Sequence, residues 1–297
     1  VKFKAGTAAT VSAETTNTAF TPSPGVTNIR VLLVGGGAGG DRGLCGYYWG
    51  HGGGGGAVFD SANYSSSFPK FSSANEYTIS VGRGGNGGGA CTSPGSFGNA
   101  GGNTTISGNF VSNTSAWTNA VAEGGQPAVS NAIAPSYAGR NGGNSGRERK
   151  NTTTDLTVTK AGGVGAGGIS GCAAGGNYCS AGSGGGAGGA GNGITGGPGL
   201  GSNIVSGTTV YYGMGGAGAQ DNSPGAVYST TSNTVAAAPT SCLGADETGS
   251  GGSDCAKAGG GASTDIGGEG GSGIAVLRYA LPTLSISTAG NGAISGS

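Results

Sequence analysis

"GGGAGGAGNGITGGPGLG", residues 184–201, divides into the triplets GGG, AGG, AGN, GIT, GGP and GLG. The first position of every triplet is glycine or alanine. Composition alone places such a stretch in a flexible linker. A threefold screw gives a different reading. The polyproline II geometry has three residues per turn and a rise of about 3.1 Å, so the first positions form one face without side chains. Two such faces can approach until their backbones touch. Amides and carbonyls that the helix leaves open then bond to neighbouring helices, with Cα–H···O contacts as an addition. The triplet face predicts a closely packed interior helix in the stretch 168–201, with Cys172 and Cys179 as its anchor.

Glycine is 73 of 297 residues, with tracts at 35–56, 82–102, 161–201, 213–218 and 248–273. The usual share is roughly 7%. Collagen is excluded, because no strict Gly-X-Y period exists and proline numbers only 10. Charged residues are 9% and balance to zero, unlike the high net charge of ordinary disordered chains. Ordering so many glycines costs much conformational entropy. Order therefore requires dense hydrogen bonding between helices, flanking sheet and covalent ties.

Between the tracts lie short segments rich in Val, Ile, Thr and Tyr: 28–34, 57–59, 77–81, 103–106, 156–159, 208–212 and 273–279. Gly, Asn, Ser or Pro bounds each one, as strands require. No segment keeps an apolar period of 3.6. The fold class expected is mainly β with very little helix, in which short strands frame packed polyglycine II-like helices in a glycine-rich sandwich. Residues 125–160 and 219–247 read as polar loops, with the charge run Arg147–Lys150 as a solvated loop tip.

Neutral charge gives no footprint for nucleic acid, and no run approaches the roughly 20 apolar residues that span a bilayer. Six cysteines, Cys45, Cys91, Cys172, Cys179, Cys242 and Cys255, stand beside one histidine. Their spacings match no zinc pattern, so disulfides and an extracellular or cell-surface location are expected. Six cysteines allow fifteen connectivities. Close spacing pairs Cys172 with Cys179 and Cys242 with Cys255 first, which leaves Cys45 for Cys91.

The densest aromatic cluster is Tyr47-Tyr48-Trp49-Gly50-His51, between two glycine tracts. It reads either as a plug over the glycine helices or as a surface-binding loop that stacks on sugars or on another subunit. Asp246, Glu247, Asp254, Asp265 and Glu269 gather late in the chain, but without the spacing of a calcium loop. No metal or cofactor is expected. "GGGAGG" after the strand at 28–34 lacks the following helix of a dinucleotide site, and no Gly-Lys-Ser/Thr occurs. His51 is the sole imidazole base, and no nucleophile elbow accompanies it. The chain is therefore not expected to be an enzyme.

The order of elements then carries a resemblance. "FTPSPGVTNIRVLLVGGGAGG" (20–40), "GGGGGAVFD" (52–60), "NEYTISVGRGGNGGG" (75–89) and "GSFGNAGGNTTI" (95–106) follow in turn, and "GGEGGSGIAVLRY" (267–279) closes the series. From about residue 18 to 279 this resembles the glycine-rich domain found in phage tail proteins and in large bacterial surface or secreted proteins. The resemblance implies an adhesive or structural domain without catalysis. In tail-tip adhesins of this kind, polyglycine II helices form a sandwich and loops at one end bind a host receptor. Six cysteines depart from a virion protein assembled in a reducing cytoplasm.

The expected organisation is an N-terminal extension strand (1–19), a glycine-rich domain (20–279) and a C-terminal extension strand or linker (280–297). Val1–Ala5 alternates apolar and polar residues, and Leu284 and Ile286 alternate with serine. Such strands can pack back on the domain, lead to further domains or pair with a neighbouring subunit, and the nearly uncharged, glycine-rich surface favours the last. The function expected is an extracellular structural or adhesive protein that self-assembles into a surface fibre or filament through its terminal strands, held by backbone hydrogen bonds and disulfides. The alternative is a phage-type receptor-binding tip whose aromatic loops recognise a host surface. The partners expected are other copies of the chain and a cell-surface glycan or protein.

Overall fold

A computed structural model of the protein describes residues 1–4, 16–26, 28–41, 50–64, 70–89, 97–111, 117–128, 143–152, 156–160, 163–165, 182–220, 223–224, 229–235, 242–253 and 267–280. The described residues are mainly β, with one short 3-10 turn at Ser61–Tyr64. A four-stranded antiparallel sheet has the order β1 (Lys2–Lys4), β14 (Ile274–Tyr279), β3 (Ile29–Val34), β4 (Val58–Asp60). A six-stranded antiparallel sheet runs β2 (Thr16–Phe20), β5 (Tyr77–Val81), β6 (Thr104–Gly108), β7 (Trp117–Ala122), β8 (Glu148–Thr152), β9 (Leu156–Lys160). Two ribbons complete the β structure, β10 (Leu200–Ser202) with β11 (Val210–Tyr212) and β12 (Ala219–Gln220) with β13 (Ser223–Pro224).

The two large sheets face each other. Alternate residues Val31, Leu33, Ala275 and Leu277 of one sheet meet Ile79, Val81, Ile106, Ala120 and Ala122 of the other, all buried. Strand alternation places them there. An aromatic group closes the end of this core: Phe71 lies 4.7 Å from Tyr77 and 5.4 Å from Phe110, centroid to centroid. The opposite face of β3 and β14, carrying Leu32, Val34, Ile274 and Val276, packs on Ile204, Tyr212 and Ala187. The central strands are thus covered on both faces, which explains why 29–34 and 274–279 read as nearly continuous apolar runs.

Asp60 is almost fully buried and takes a bidentate pair of bonds from Arg30, at 3.1 and 2.6 Å. Ser202 Oγ and the Ala62 N–H also donate to it, at 2.7 and 3.0 Å. Burial pushes the Asp60 carboxyl up, but the bonds from Arg30, Ser202 and Ala62 outweigh it and hold the group below its ordinary range. This cluster ties the four-stranded sheet to β10.

The strands run directly into a bundle of glycine segments. Segment 35–41 displays the threefold screw in its hydrogen bonds. Gly35, Ala38 and Asp41 donate to Ala57, Gly54 and His51; Gly36 and Gly39 donate to Gly102 and Asn99; Gly37 and Gly40 donate to Gly271 and Gly268, all at 2.8–3.0 Å. Every third residue thus addresses the same neighbour, as three residues per turn demand. Its carbonyls accept from three further segments: Gly37 and Gly40 from Gly85 and Gly88, Gly36 from Gly125, and Ala38 from Gly252. Segment 35–41 is therefore surrounded by 50–57, 97–103, 267–273, 82–89, 123–128 and 249–253, in a hexagonal array of polyglycine II helices.

This packing leaves no room for side chains. A Cβ on Gly36 would stand 1.9 Å from the Arg83 carbonyl oxygen, and one on Gly37 would stand 2.0 Å from that of Ser250. Thr104 joins bundle to sheet: its buried hydroxyl donates to Val34 O at 2.6 Å and accepts from Gly82 N at 3.0 Å.

Three expectations change. Residues 184–201 do not form one continuous helix. Gly186 and Gly189 exchange both backbone bonds, as do Asn192 and Thr195, so the chain turns back twice. Eighteen residues of polyglycine II would extend about 56 Å, whereas the seven of 35–41 extend about 22 Å. The stretch therefore folds into short passes, and Gly193 at φ 56° supplies the second turn. Gly184, Gly185, Gly186, Gly196 and Gly197 keep the packing predicted, because a Cβ on any of them would strike backbone at 1.9–2.2 Å.

Secondly, Glu148–Lys150 is no loop tip. It belongs to β8, between β7 and β9. The adjoining glycine segments set this position, with Glu123 N bonded to Arg147 O at 3.0 Å. Thirdly, both strands of the N-terminal region have seats within the chain. β1 pairs with β14, and β2 pairs with β5. The C-terminal region 281–297 lies outside the described residues.

Candidate functional site

The bundle has two unlike ends. At one end, seven glycine segments continue into a strand: 35 follows β3, 57 precedes β4, 82 follows β5, 103 precedes β6, 123 follows β7, 147 precedes β8 and 273 precedes β14, whereas 249–253 is entered from the turn at 246–249. At the other end stand Asp41, His51, Gly88, Gly98, Gly143, Gly182, Ser253 and Gly267. Backbone bonds hold them together. Asp41 N donates to His51 O at 2.8 Å, Gly143 N to Gly52 O at 3.0 Å, Gly52 N to Gly182 O at 3.1 Å, and Gly267 N to Gly88 O at 2.9 Å. Ser253 N donates to Cys242 O at 2.8 Å, and Ala217 N to Ser253 Oγ at 3.0 Å.

Asp41 organises this end. Its side chain is 3% exposed. Oδ1 accepts from Gly98 N at 2.9 Å, and Oδ2 lies 3.7 Å from His51 Nδ1. The His51 side chain is 12% exposed. One carboxylate thus spans the end of the outgoing segment 35–41 and the starts of the returning segments 50–57 and 97–103. A buried carboxylate is retained only with such partners, so its role here is to fix chain ends.

Of the expected surface loop, His51 is placed at this end, turned inward towards Asp41. Tyr47, Tyr48 and Trp49 lie outside the described residues. Cys242 is disulfide-bonded, while Cys45, Cys91, Cys172, Cys179 and Cys255 lie outside the described residues. Sequence reasoning passed over Asp41 and Phe97. Asp41 ends the run GGGAGGD as the sole acidic residue of its tract, and Phe97 is the only aromatic in 82–102. Phe97 is 39% exposed where the chain returns into the bundle.

The late acidic residues do not converge. Asp246 accepts from Ser272 N and Oγ at 3.3 and 3.2 Å, and Glu247 pairs with Lys2 of β1, at the strand end. Asp254 and Asp265 lie outside the described residues. Among the described residues, no group of three or more His, Cys, Asp or Glu side chains is placed to hold a metal. No described helix is long and apolar enough to cross a membrane.

The hexagonal bundle, capped by strands at one end, is joined by a sequence match: a family model for glycine-rich domains matches residues 11–280. The chain belongs to the glycine-rich domain family. No curated protein matches it. The match begins ahead of residue 20, where the sequence reading set the boundary. The family region therefore includes β2, consistent with the seat of that strand in the six-stranded sheet.

Proposed function

We propose that this glycine-rich domain is an extracellular adhesive module that presents connecting segments from the end of its bundle opposite the two large sheets. The observation that carries this reading is the polarity of the bundle. The two large sheets occupy one end, and the chain leaves and re-enters the other, beside the short β12–β13 ribbon, at 41 and 50, 89 and 97, 128 and 143, 165 and 182, and 253 and 267. The segments between those points include Tyr47, Tyr48, Trp49 and five of the six cysteines. Varied sequence thus sits on a base that the backbone array makes stiff.

Disulfides suit the same place and an oxidising compartment. Cys255 follows Ser253 by two residues, and Ser253 N bonds to Cys242 O. Two residues span at most about 7 Å, which supports the pairing Cys242–Cys255. This geometry favours display by one end, as in a receptor-binding tip. The ligand class is a cell-surface glycan or protein that stacks on exposed aromatic rings.

The test is binding of the fluorescent protein to cells and to immobilised surface glycans. The triple variant Tyr47→Ser, Tyr48→Ser, Trp49→Ser is expected to lose binding while its melting temperature stays within about 2 °C of wild type. Equal binding by the variant, or a variant that fails to fold, overturns the reading.

A further inference from the structure

Segments 82–89, 97–103, 123–128 and 143–147 adjoin β5, β6, β7 and β8, so they form one outer layer of the bundle. This layer carries five carboxamides, and their bonding divides them. Three cap backbone groups that face away from the array. Asn103 Oδ1 accepts from Gly124 N at 2.9 Å, Asn144 Oδ1 accepts from Gly165 N at 3.0 Å, and Gln126 Nε2 donates to Gly124 O at 3.1 Å. Asn86 and Asn99 do not share this task. Both are exposed, and no described group bonds to either carboxamide.

These two residues stand side by side, because Asn99 N donates to Asn86 O at 2.8 Å. Phe97, with 39% of its surface exposed, lies two residues before Asn99, a rise of about 6 Å towards the end opposite the two large sheets. The backbone beneath them is held from several sides. Gly98 N donates to Asp41 Oδ1, Gly39 N to Asn99 O and Gly88 N to Gly40 O, each at 2.9 Å. A Cβ on Gly98 would stand 2.2 Å from Gly39 O, and one on Gly85 would stand 2.0 Å from Asn99 O. Neither 84–89 nor 97–103 contains a charged residue.

We infer that Phe97, Asn86 and Asn99 form a subsite for an uncharged glycan. The subsite rests on the adhesive reading of the same end and adds its place and the charge class of its ligand. An aromatic ring takes the apolar C–H face of a sugar. Each carboxamide offers two N–H donors and an acceptor, which suits hydroxyls that both donate and accept. The positions of all three residues are set by the backbone array before any ligand arrives, so little ordering remains to oppose binding. A sialylated or sulfated sugar would find no cation on either segment, whereas a neutral sugar needs none.

The test uses the 297-residue chain on immobilised oligosaccharides of glucose, galactose, mannose and N-acetylglucosamine, beside sialylated and sulfated ones. Titration with the best-bound neutral sugar follows. Phe97→Ala is expected to weaken binding about tenfold, and Phe97→Tyr to retain it. Asn86→Ala and Asn99→Ala are each expected to weaken it about tenfold. Both should melt within about 2 °C of wild type, because neither carboxamide is bonded within the fold. Asn103→Ala removes a cap, so it is expected to lower the melting temperature and leave sugar binding unchanged. Binding confined to sialylated or sulfated sugars overturns the inference, and so does neutral-sugar binding that Asn86→Ala and Asn99→Ala both leave intact. If Phe97→Ala unfolds, the two asparagine variants decide. Wild-type binding to cells but to no sugar removes the subsite and keeps the adhesive reading; binding to neither removes both.

Discussion

Gly37→Ala isolates what holds the bundle together. The added methyl carbon would stand 2.0 Å from Ser250 O and 2.3 Å from Ser250 C, where ordinary contact begins near 3.4 Å. The obstacle is backbone, which has no rotamer to change. Segments 35–41 and 249–253 must separate by about 1.4 Å. That movement stretches the bonds Gly37 N to Gly271 O and Gly252 N to Ala38 O, now 2.9 and 2.8 Å. Overpacking costs roughly 1–3 kcal/mol, and each buried bond broken adds about 1–3 kcal/mol. Against this, alanine reduces the freedom of the unfolded chain and stabilises by about 0.4–1 kcal/mol. The net expected loss is about 3–5 kcal/mol, or a fall in melting temperature of roughly 10 °C. Gly207→Ala is the control. It has φ 77° and no atom within 4 Å of the new carbon, so it meets only the left-handed penalty of about 1–2 kcal/mol. Paired thermal melts by circular dichroism decide. If Gly37→Ala melts within 2 °C of wild type, or falls no further than Gly207→Ala, backbone contact is not what holds the bundle.

Thr104→Val keeps the shape but leaves Gly82 N and Val34 O without their buried partner. A loss of about 2–3 kcal/mol is expected in urea unfolding, and Thr104→Ser should recover most of it. Asp60→Asn removes the charge that Arg30 binds, with an expected loss of about 3 kcal/mol at neutral pH. The folded carboxyl is held low, so its stabilisation is present above the unfolded value near 3.9 and disappears as pH falls through the folded value. The gap between wild type and Asp60→Asn should therefore close in acid; a gap of constant size from pH 7 to pH 2.5 would refute this. Cys242→Ser together with Cys255→Ser should lower stability by about 2–4 kcal/mol without creating a free thiol, as read by a thiol-reactive dye. A newly reactive thiol would mean that these two cysteines have other partners.

Strands flanked by glycine tracts were legible because both signals coincide there. Tyr77–Val81 is found at its expected bounds, and 28–34 and 273–279 differ from theirs by one residue. β7 and β8 were not legible. Glu148–Thr152 has neither apolar alternation nor β-branched enrichment until its last residue, and it becomes a strand because segments 123–128 and 143–147 deliver it beside Trp117–Ala122. At the end opposite the two large sheets, His51 stood out as the only histidine. Asp41 did not, because a single acidic residue among glycines has no pattern until Gly98 and His51 surround it.

By itself the sequence determined that the backbone must be the packing surface. A quarter of the residues lack side chains, and their open amides and carbonyls need partners wherever water is excluded. Only the tertiary structure decided which backbones meet. Triplet spacing fixes three directions of bonding around each segment, but it carries no label for the neighbour, because one glycine face is chemically identical to another. Five of the six segments around 35–41 adjoin a strand of the two large sheets, and those strands choose them. For the same reason 184–201 turns back on itself: the height of the bundle is a property of the whole array, and no triplet encodes it.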